Sequence, residues 1–382
     1  MSDFVVKNGL QIGGGSSLKS GTIAGNATLD LTSGNFFSHT PTADTTFVFS
    51  NPPASGKAHG FALKVTGVDI GTAYDLANAS YDSVSFSVSA QDSNPRGLYL
   101  TQDGASLFVG GSNSDSIHKY SLSTAWDVSS ASFSQSFSMA SQDTDINAIW
   151  VSSDGTKVFG LGLISDSVYE YDLSTAYDLS TASYNSISLS VSSQASLPVG
   201  MCFSSSGQNL YICDFGGTVY QYSLSTAFDL STASYSGNSF VSGLGSDIRN
   251  CFISSDGSKF FIADAGGGDV IVEFSLSANF DVSSATSTGI TFSVSAQEIT
   301  LCGVFFKVDG TKMYIVGTSS QTVYQYSTGS IDIATFTYPA SVAWPNGVPP
   351  TAPAVGETDV LTFYTEDGGT TYNGFQAGDA MQ

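Results

Sequence analysis

Positive charge is scarce in this chain of 382 residues: 11 Lys and Arg stand against 33 Asp and Glu, a formal charge of −22. Phosphate contacts need clustered basic side chains, so this balance argues against a nucleic-acid partner. It argues against an anionic lipid surface for the same reason. Charge of either sign is thin, at 12% of residues, and Ser, Thr, Gly and Asn carry the polarity instead. No run approaches the roughly 18 uninterrupted apolar residues of a membrane helix, so no membrane insertion is expected. The opening Met1-Ser2-Asp3-Phe4-Val5-Val6-Lys7 lacks the basic segment and apolar run of a signal peptide, which leads us to expect cytoplasmic synthesis.

Sulfur and imidazole are equally sparse. Cys202, Cys213, Cys251 and Cys302 form no CxxC and have no His nearby, which speaks against a zinc site and a disulfide framework. They are expected as reduced, buried, small hydrophobes. His39, His59 and His118 sit in unrelated contexts. There is no Gly-x-Ser-x-Gly elbow, EF-hand loop or phosphate loop. No metal, cofactor or catalytic residue is assigned.

What is abundant is repetition. The stretch Ser174-Thr175-Ala176-Tyr177-Asp178-Leu179-Ser180-Thr181-Ala182 returns in edited copies whose aspartates are Asp75, Asp127, Asp178, Asp229 and Asp281, spaced 51 or 52 residues apart. A period near fifty with short β-rich units is a propeller or solenoid signature. Each full unit holds an apolar first strand such as Ala148–Val151, then a turn such as Asp154-Gly155. A second strand follows, then a third such as Tyr169-Glu170-Tyr171, and the motif leads into a fourth. The alternation in the third strand places both rings on one sheet face and the charge or amide on the other. Four strands per unit make a propeller blade.

The count fixes the closure. The first motif copy supplies only a fourth strand, near residue 80, whereas the last unit supplies strands one to three and then leaves the pattern. Five blades form only if the first fourth strand completes the last blade, which also hides two open edges.

The flanks do not repeat. Residues 1–19 read as an N-terminal arm with a turn at Lys7-Asn8-Gly9. Residues 20–70 and 331–382 each hold too few strands for a stable sheet alone, and together they would make one β-sandwich-like domain. The expected fold is therefore all-β: a five-bladed propeller over 71–330 inserted into a split β-sandwich-like domain.

The pieces Met1–Leu10, Leu29–Phe37, Phe49–Gly56, Val342–Gly347 and Asp359–Phe375 resemble marine tailed-phage virion proteins, often described as tail-fibre-like or structural proteins. In such proteins these pieces run together without a propeller. The resemblance implies a place in the virion among other virion proteins, with the terminal part towards the particle. It also implies a homotrimer, as is common for such fibres. The repeats look like surface-adhesin propellers, which implies recognition of a host-surface glycan or receptor. No catalytic residue transfers.

The residues offer one candidate site. Segments joining each fourth strand to the next first strand carry Asp92, Asp143 with Asp145, Asp247 and Glu298, and Arg96 and Arg249, the only arginines, stand beside them. In a propeller these segments converge on one mouth of the central channel. Asn113, Asp115, Asp166, Asp214, Asp264 and Asp269, in loops between second and third strands, are expected at the same mouth. Paired carboxylates there suit a glycoside hydrolase, cation or sugar binding, or a structural ring. Their repetition favours the structural ring over catalysis.

Overall fold

In a computed structural model of the chain, the described residues are 23–24, 27–41, 43–68, 73–329 and 333–381. The expected arm over 1–19 lies outside them. The described residues fall into two compact units, divided at 71/72 and 330/331.

The middle unit is a five-bladed β-propeller. Blade 1 is built from Pro95–Leu100, Ser106–Gly111, Ser116–Leu122 and Ala131–Ser138. Blade 2 runs from Ile146–Val151 to Ala182–Ser190, blade 3 from Pro198–Phe203 to Ala233–Val241, and blade 4 from Ile248–Ile253 to Ala285–Ser293. Blade 5 takes three strands, Leu301–Phe306, Lys312–Gly317 and Thr322–Ser327, from the far end of the unit and its outermost strand, Ser80–Ser87, from the beginning. The closing pair is antiparallel, with Val323 opposite Phe86 and Tyr326 opposite Tyr81. Each first strand neighbours the first strands of the two adjacent blades, which completes the ring.

The repeated motif has a definite mechanical role. Its aspartate accepts a backbone N–H at the start of a one-turn 3₁₀ segment in every copy, from Asp75 to Asp281. The aromatic before it (Tyr74, Trp126, Tyr177, Phe228 or Phe280) takes a left-handed backbone with φ between 55° and 65°. That costs energy for a bulky residue and persists only where the surroundings hold it. Its N–H donates to the carbonyl of the glycine in the turn between strands one and two, as Tyr177 does to Gly155 at 2.9 Å and Tyr74 to Gly310 at 2.8 Å. Its ring covers that glycine so closely that a Cβ on Gly155 would lie 2.5 Å from the Tyr177 ring. The Asp-Gly turn and the aromatic motif, fifteen or more residues apart in sequence, are one packed unit.

Neighbouring blades hook onto this unit. Tyr169 and Tyr171 both pack on Tyr184, while Glu170 points to the other face and is fully buried. Its Oε2 accepts from the N–H of Leu230 in blade 3 at 2.8 Å, and its Oε1 is paired with Lys157 and Asn185. Gln221 accepts from Val282 at 3.1 Å and Gln325 from Val128 at 3.3 Å in the same way. In blade 1 the third strand carries Lys119 here, and Gln135 of the outermost strand accepts from Leu179 at 3.0 Å. Polar residues that a strand pattern alone would leave in solvent are inter-blade links.

The other unit is built from both flanks. A five-stranded sheet runs in the order Val342–Ala343, Tyr372–Met381, Thr358–Thr365, His59–Thr66, Phe36–His39. Its central pair is antiparallel and sets Leu361 opposite Leu63 and Phe363 opposite Phe61, nearly three hundred residues apart in the chain. Both strands alternate buried and partly exposed residues, as one-sided strands do. Phe37, Phe47, Phe61, Leu63, Leu361 and Phe363 form the core, and Phe61 stacks on Phe363 at 5.0 Å. A three-stranded sheet, Ile23–Ala24, Thr28–Asp30 and Val48–Ser50, and a two-stranded pair, Thr45–Thr46 with Phe336–Thr337, complete it.

Two glycines separate backbone strain from packing. Gly155 (φ +72°) sits under Tyr177, while Gly237 (φ +89°) has nothing within 4 Å of the point where a Cβ would stand. Both Gly→Ala changes carry the left-handed penalty of about 1 kcal/mol. Gly155→Ala adds an overpacking cost of about 1–3 kcal/mol. Denaturant unfolding should show Gly155→Ala as clearly the more destabilising change, and equal losses would refute the packed-turn assignment.

Candidate polar mouth of the propeller

The first strand of every blade opens with a bulge, at Pro95/Gly97, Ile146/Ala148, Pro198/Gly200, Ile248/Asn250 and Leu301/Gly303. The skipped residues are therefore equivalent: Arg96, Asn147, Val199, Arg249 and Cys302. A bulge re-aims its side chain, and here it does so at the end of the ring where the blade-to-blade connections lie. The equivalent bulges place both arginines and Cys302 at the same end of the ring.

The candidate carboxylates divide into two groups. Asp92, Asp143 and Glu298 are buried, at 2%, 5% and 0% exposure, and turn into their own blades. Asp92 accepts from the N–H of Asn94 (2.6 Å) and from the N–H and hydroxyl of Ser114 (2.8 and 2.5 Å). Asp143 accepts from the N–H groups of Asp145 (2.9 Å) and Ser165 (2.8 Å). Glu298 accepts from Thr300, Ser319 and Ser320. Burial works against its charge, but these hydrogen bonds outweigh that and hold the carboxyl below its ordinary range. These three, candidates for ligand binding and for a structural ring alike, have their carboxylates held by backbone amides and hydroxyls.

In blades 3 and 4 the acid changes position. Ala195 and Gly245 stand where the connection acids would be. There the acid comes from the end of the second strand, as Asp214 or Asp264. Asp214 accepts from Leu197 (2.9 Å) and Gly216 (3.1 Å), the counterparts of the amides that Asp143 holds. Asp264 accepts from Gly267 at 2.9 Å. In blades 1, 2 and 5 the strand position is Gly111, Gly162 or Gly317, where a Cβ would lie 2.1–2.4 Å from the connection acid. In blades 1, 2, 3 and 5 one carboxylate, from either of two positions, clamps connection to hairpin. Asp214, expected as a loop acid at the mouth, belongs to this clamp, and Asp264 holds amides of its own hairpin.

Asp145, Asp247, Arg96 and Arg249 remain at the mouth. Asp247 aligns with Asp145, three residues before the first-strand interior, and not with Asp143. Arg249 Nε lies 2.5 Å from Asp247 Oδ1 at an angle that makes no hydrogen bond, and its guanidinium sits 5.3 Å from the Phe215 ring. Burial pushes the Asp145 carboxyl up; the Arg96 guanidinium opposes this and Asp143 adds to it. Burial, then Asp145, Asp143 and Asp92, push Asp115 up. Asp115, Asp166 and Asp269 share a left-handed backbone (φ 46°, 48° and 58°), a conformation that Asp tolerates better than most residues. Asp269 also accepts from the N–H of Leu301 in the next blade at 2.9 Å. Asn113 is exposed on its loop.

Among the described residues, eight buried side-chain polar atoms lack a hydrogen-bond partner. Seven of them lie at this mouth: the Nε atoms of Arg96 and Arg249, Nδ2 of Asn147, Oγ of Ser165, and an Oδ1 each of Asp115, Asp145 and Asp247. Buried polar atoms are normally paired, so a cluster of this kind requires an explanation. Sequence reasoning named the arginines and Asp145 but missed Asn147 and Ser165. The shared bulge position of Arg96, Asn147 and Arg249 was the available signal.

No protein-family model and no curated protein matches the chain. Many solved chains resemble it. One belongs to the "Crystal Structure of Mitotic Checkpoint Complex", at 11% identity and a TM-score of 0.37, with 60% of this chain and 63% of that chain covered. A likeness at this level carries no functional argument. The four cysteines are free and buried, with Cys202 and Cys251 sulfurs 3.3 Å apart.

The clamp can be tested by exchange. Asp143→Ala strands two buried amides and should cost about 2 kcal/mol in denaturant unfolding. Adding Gly162→Asp, which copies the blade 3 arrangement, should recover part of that loss. An additive or worse double variant would refute the equivalence. A second test follows from Asp115. Its carboxyl is held above the unfolded value, so its charge opposes folding at neutral pH and the opposition fades as pH falls through the folded value. Asp115→Asn should raise Tm at pH 7, and the advantage should shrink towards pH 4.

Proposed function

We propose that the propeller is a recognition module of a virion structural protein and that its polar mouth binds a host-surface glycan. The observation that carries this is the mixture of buried atoms without hydrogen-bond partners. Arg96 and Asn147 offer donors, and Asp115 and Asp145 offer acceptors, while Arg249 and Asp247 form an ion pair at the same mouth. A simple anion meets the carboxylates there, and a bare cation meets the guanidiniums. A sugar hydroxyl donates and accepts at once, so a polyhydroxylated ligand satisfies both sets. The resemblance of the flanking pieces supports the virion part of the reading, together with other virion proteins as partners.

The purified chain should bind a subset of host envelope glycans on an array. Arg96→Ala and Asn147→Ala should each weaken that binding by about tenfold or more, the scale of a lost hydrogen bond to a charged or buried group. Binding unaffected by both substitutions, or no binding to any host glycan, would overturn the assignment. Release of reducing sugar that Asp145→Asn abolishes would favour the glycoside hydrolase reading instead.

A further inference from the structure

The opposite end of the ring holds a different kind of site. Tyr99, Trp150, Cys202, Phe252 and Phe305 occupy equivalent positions near the ends of the five first strands. Four are aromatic, and their rings meet across the axis. Tyr99 lies 5.2 Å from both Trp150 and Phe305, Phe252 lies 5.3 Å from Phe305, and Trp150 reaches Phe252 at 6.4 Å. Blade 3 supplies Cys202 in place of a fifth ring, and the four packed rings are among the residues that line a cup of about 60 Å³. Counted in water-sized units, that is room for about four to six waters. Trp126, on the motif of blade 1, contributes to the wall.

Asp103, Asp154 and Asp256 sit in the turns between strands one and two, each one residue beyond a residue that lines the cup (Gln102, Ser153 or Ser255), and add negative charge around it. Asp103 and Asp154 act electrostatically on the Tyr99 hydroxyl, and Asp256 on that of Tyr74. A hydrogen bond from Thr101 holds Asp103 below its usual range. Burial works against the charge of Asp154 and Asp256, but bonds from Ser152 and Ser254 with their turn amides outweigh it. All three are therefore ionised at neutral pH. The fourth rim acid, Asp309, is paired with Lys307 at 2.7 Å. That same Lys307 ammonium lies 5.3 Å from the centroid of the Trp126 ring, so a cation already rests against a ring of the cup.

From this cup we infer a second ligand site, one that takes an organic ammonium group such as the trimethylammonium of choline. Ring faces attract a cation through their quadrupole, and the attraction grows as the site loses water. A trimethylammonium group has an apolar surface that fits an aromatic cup and a spread charge that the surrounding turn carboxylates favour. A compact, strongly hydrated metal ion gains little from rings, and the surrounding carboxylates disfavour an anion. The inference does not depend on glycan binding at the other end.

Two of the three tryptophans, Trp126 and Trp150, line the cup, so intrinsic fluorescence reports on it directly. The intact chain should show saturable quenching with choline chloride against a sodium chloride control of equal ionic strength. The neutral carbon isostere 3,3-dimethylbutan-1-ol should bind at least about tenfold more weakly. Trp150→Leu should abolish the calorimetric signal of choline, while Trp150→Phe, which keeps a ring and the fold, should retain weakened binding. Asp154→Asn should weaken choline without changing the isostere. Absence of saturable choline binding, equal affinity for the isostere, or binding undiminished in Trp150→Leu would overturn the proposal.

Discussion

The propeller depends on a single contact repeated five times: a left-handed aromatic residue folded back over the glycine of its own blade's first turn. The contact joins the third-to-fourth strand connection to the first-to-second turn. The aromatic's unfavourable backbone is held by its N–H bond to the glycine carbonyl, by the aspartate cap behind it and by the hook from the preceding blade. Glu170, Gln221 and Gln325 are buried for that reason: each satisfies an amide at the start of the next blade's 3₁₀ turn. Local geometry and ring assembly thus stabilise each other, and neither persists alone.

Closure adds a second constraint. A blade formed wholly in sequence order would leave one unpaired strand edge at each end of the array. Pairing Ser80–Ser87 with Thr322–Ser327 removes both edges and brings the two ends of the unit together. Segments that continue from those ends into the flanks are then free to fold with each other, as Thr358–Thr365 does with His59–Thr66.

The two ends of the ring have opposite chemistry, and the cause lies in strand geometry. The bulge that opens each first strand delivers a polar side chain to one mouth in three blades (Arg96, Asn147 and Arg249), whereas the regular end of the same strand delivers a ring to the other in four. Carboxylates are common at both ends, yet most are consumed locally. At the connections they clamp hairpin amides, and in the turns they cap their own backbone. What distinguishes the polar mouth is the minority of groups that no local amide satisfies.

The sequence alone determined the blade count, the strand order within a blade and the borrowed outermost strand. Those follow from a period of 51 or 52 residues that starts and stops mid-unit, and periodicity is a one-dimensional property. It also identified Arg96, Arg249 and Asp145 as residues of the mouth. Tertiary structure alone decided which acids are available: Asp92, Asp143 and Glu298, like Asp145, read in the sequence simply as connection acids, but each of the three meets amides from a hairpin some twenty residues away. It likewise decided that Ala195 with Asp214 is the same device as Asp143 with Gly162. The aromatic cup was hidden for a related reason, because an apolar strand reads as core, and only the ring's convergence shows that Tyr99, Trp150, Phe252 and Phe305 meet one another at an open end. Hydrogen-bond satisfaction and convergence on an axis are properties of points in space, and spacing along a chain does not encode them.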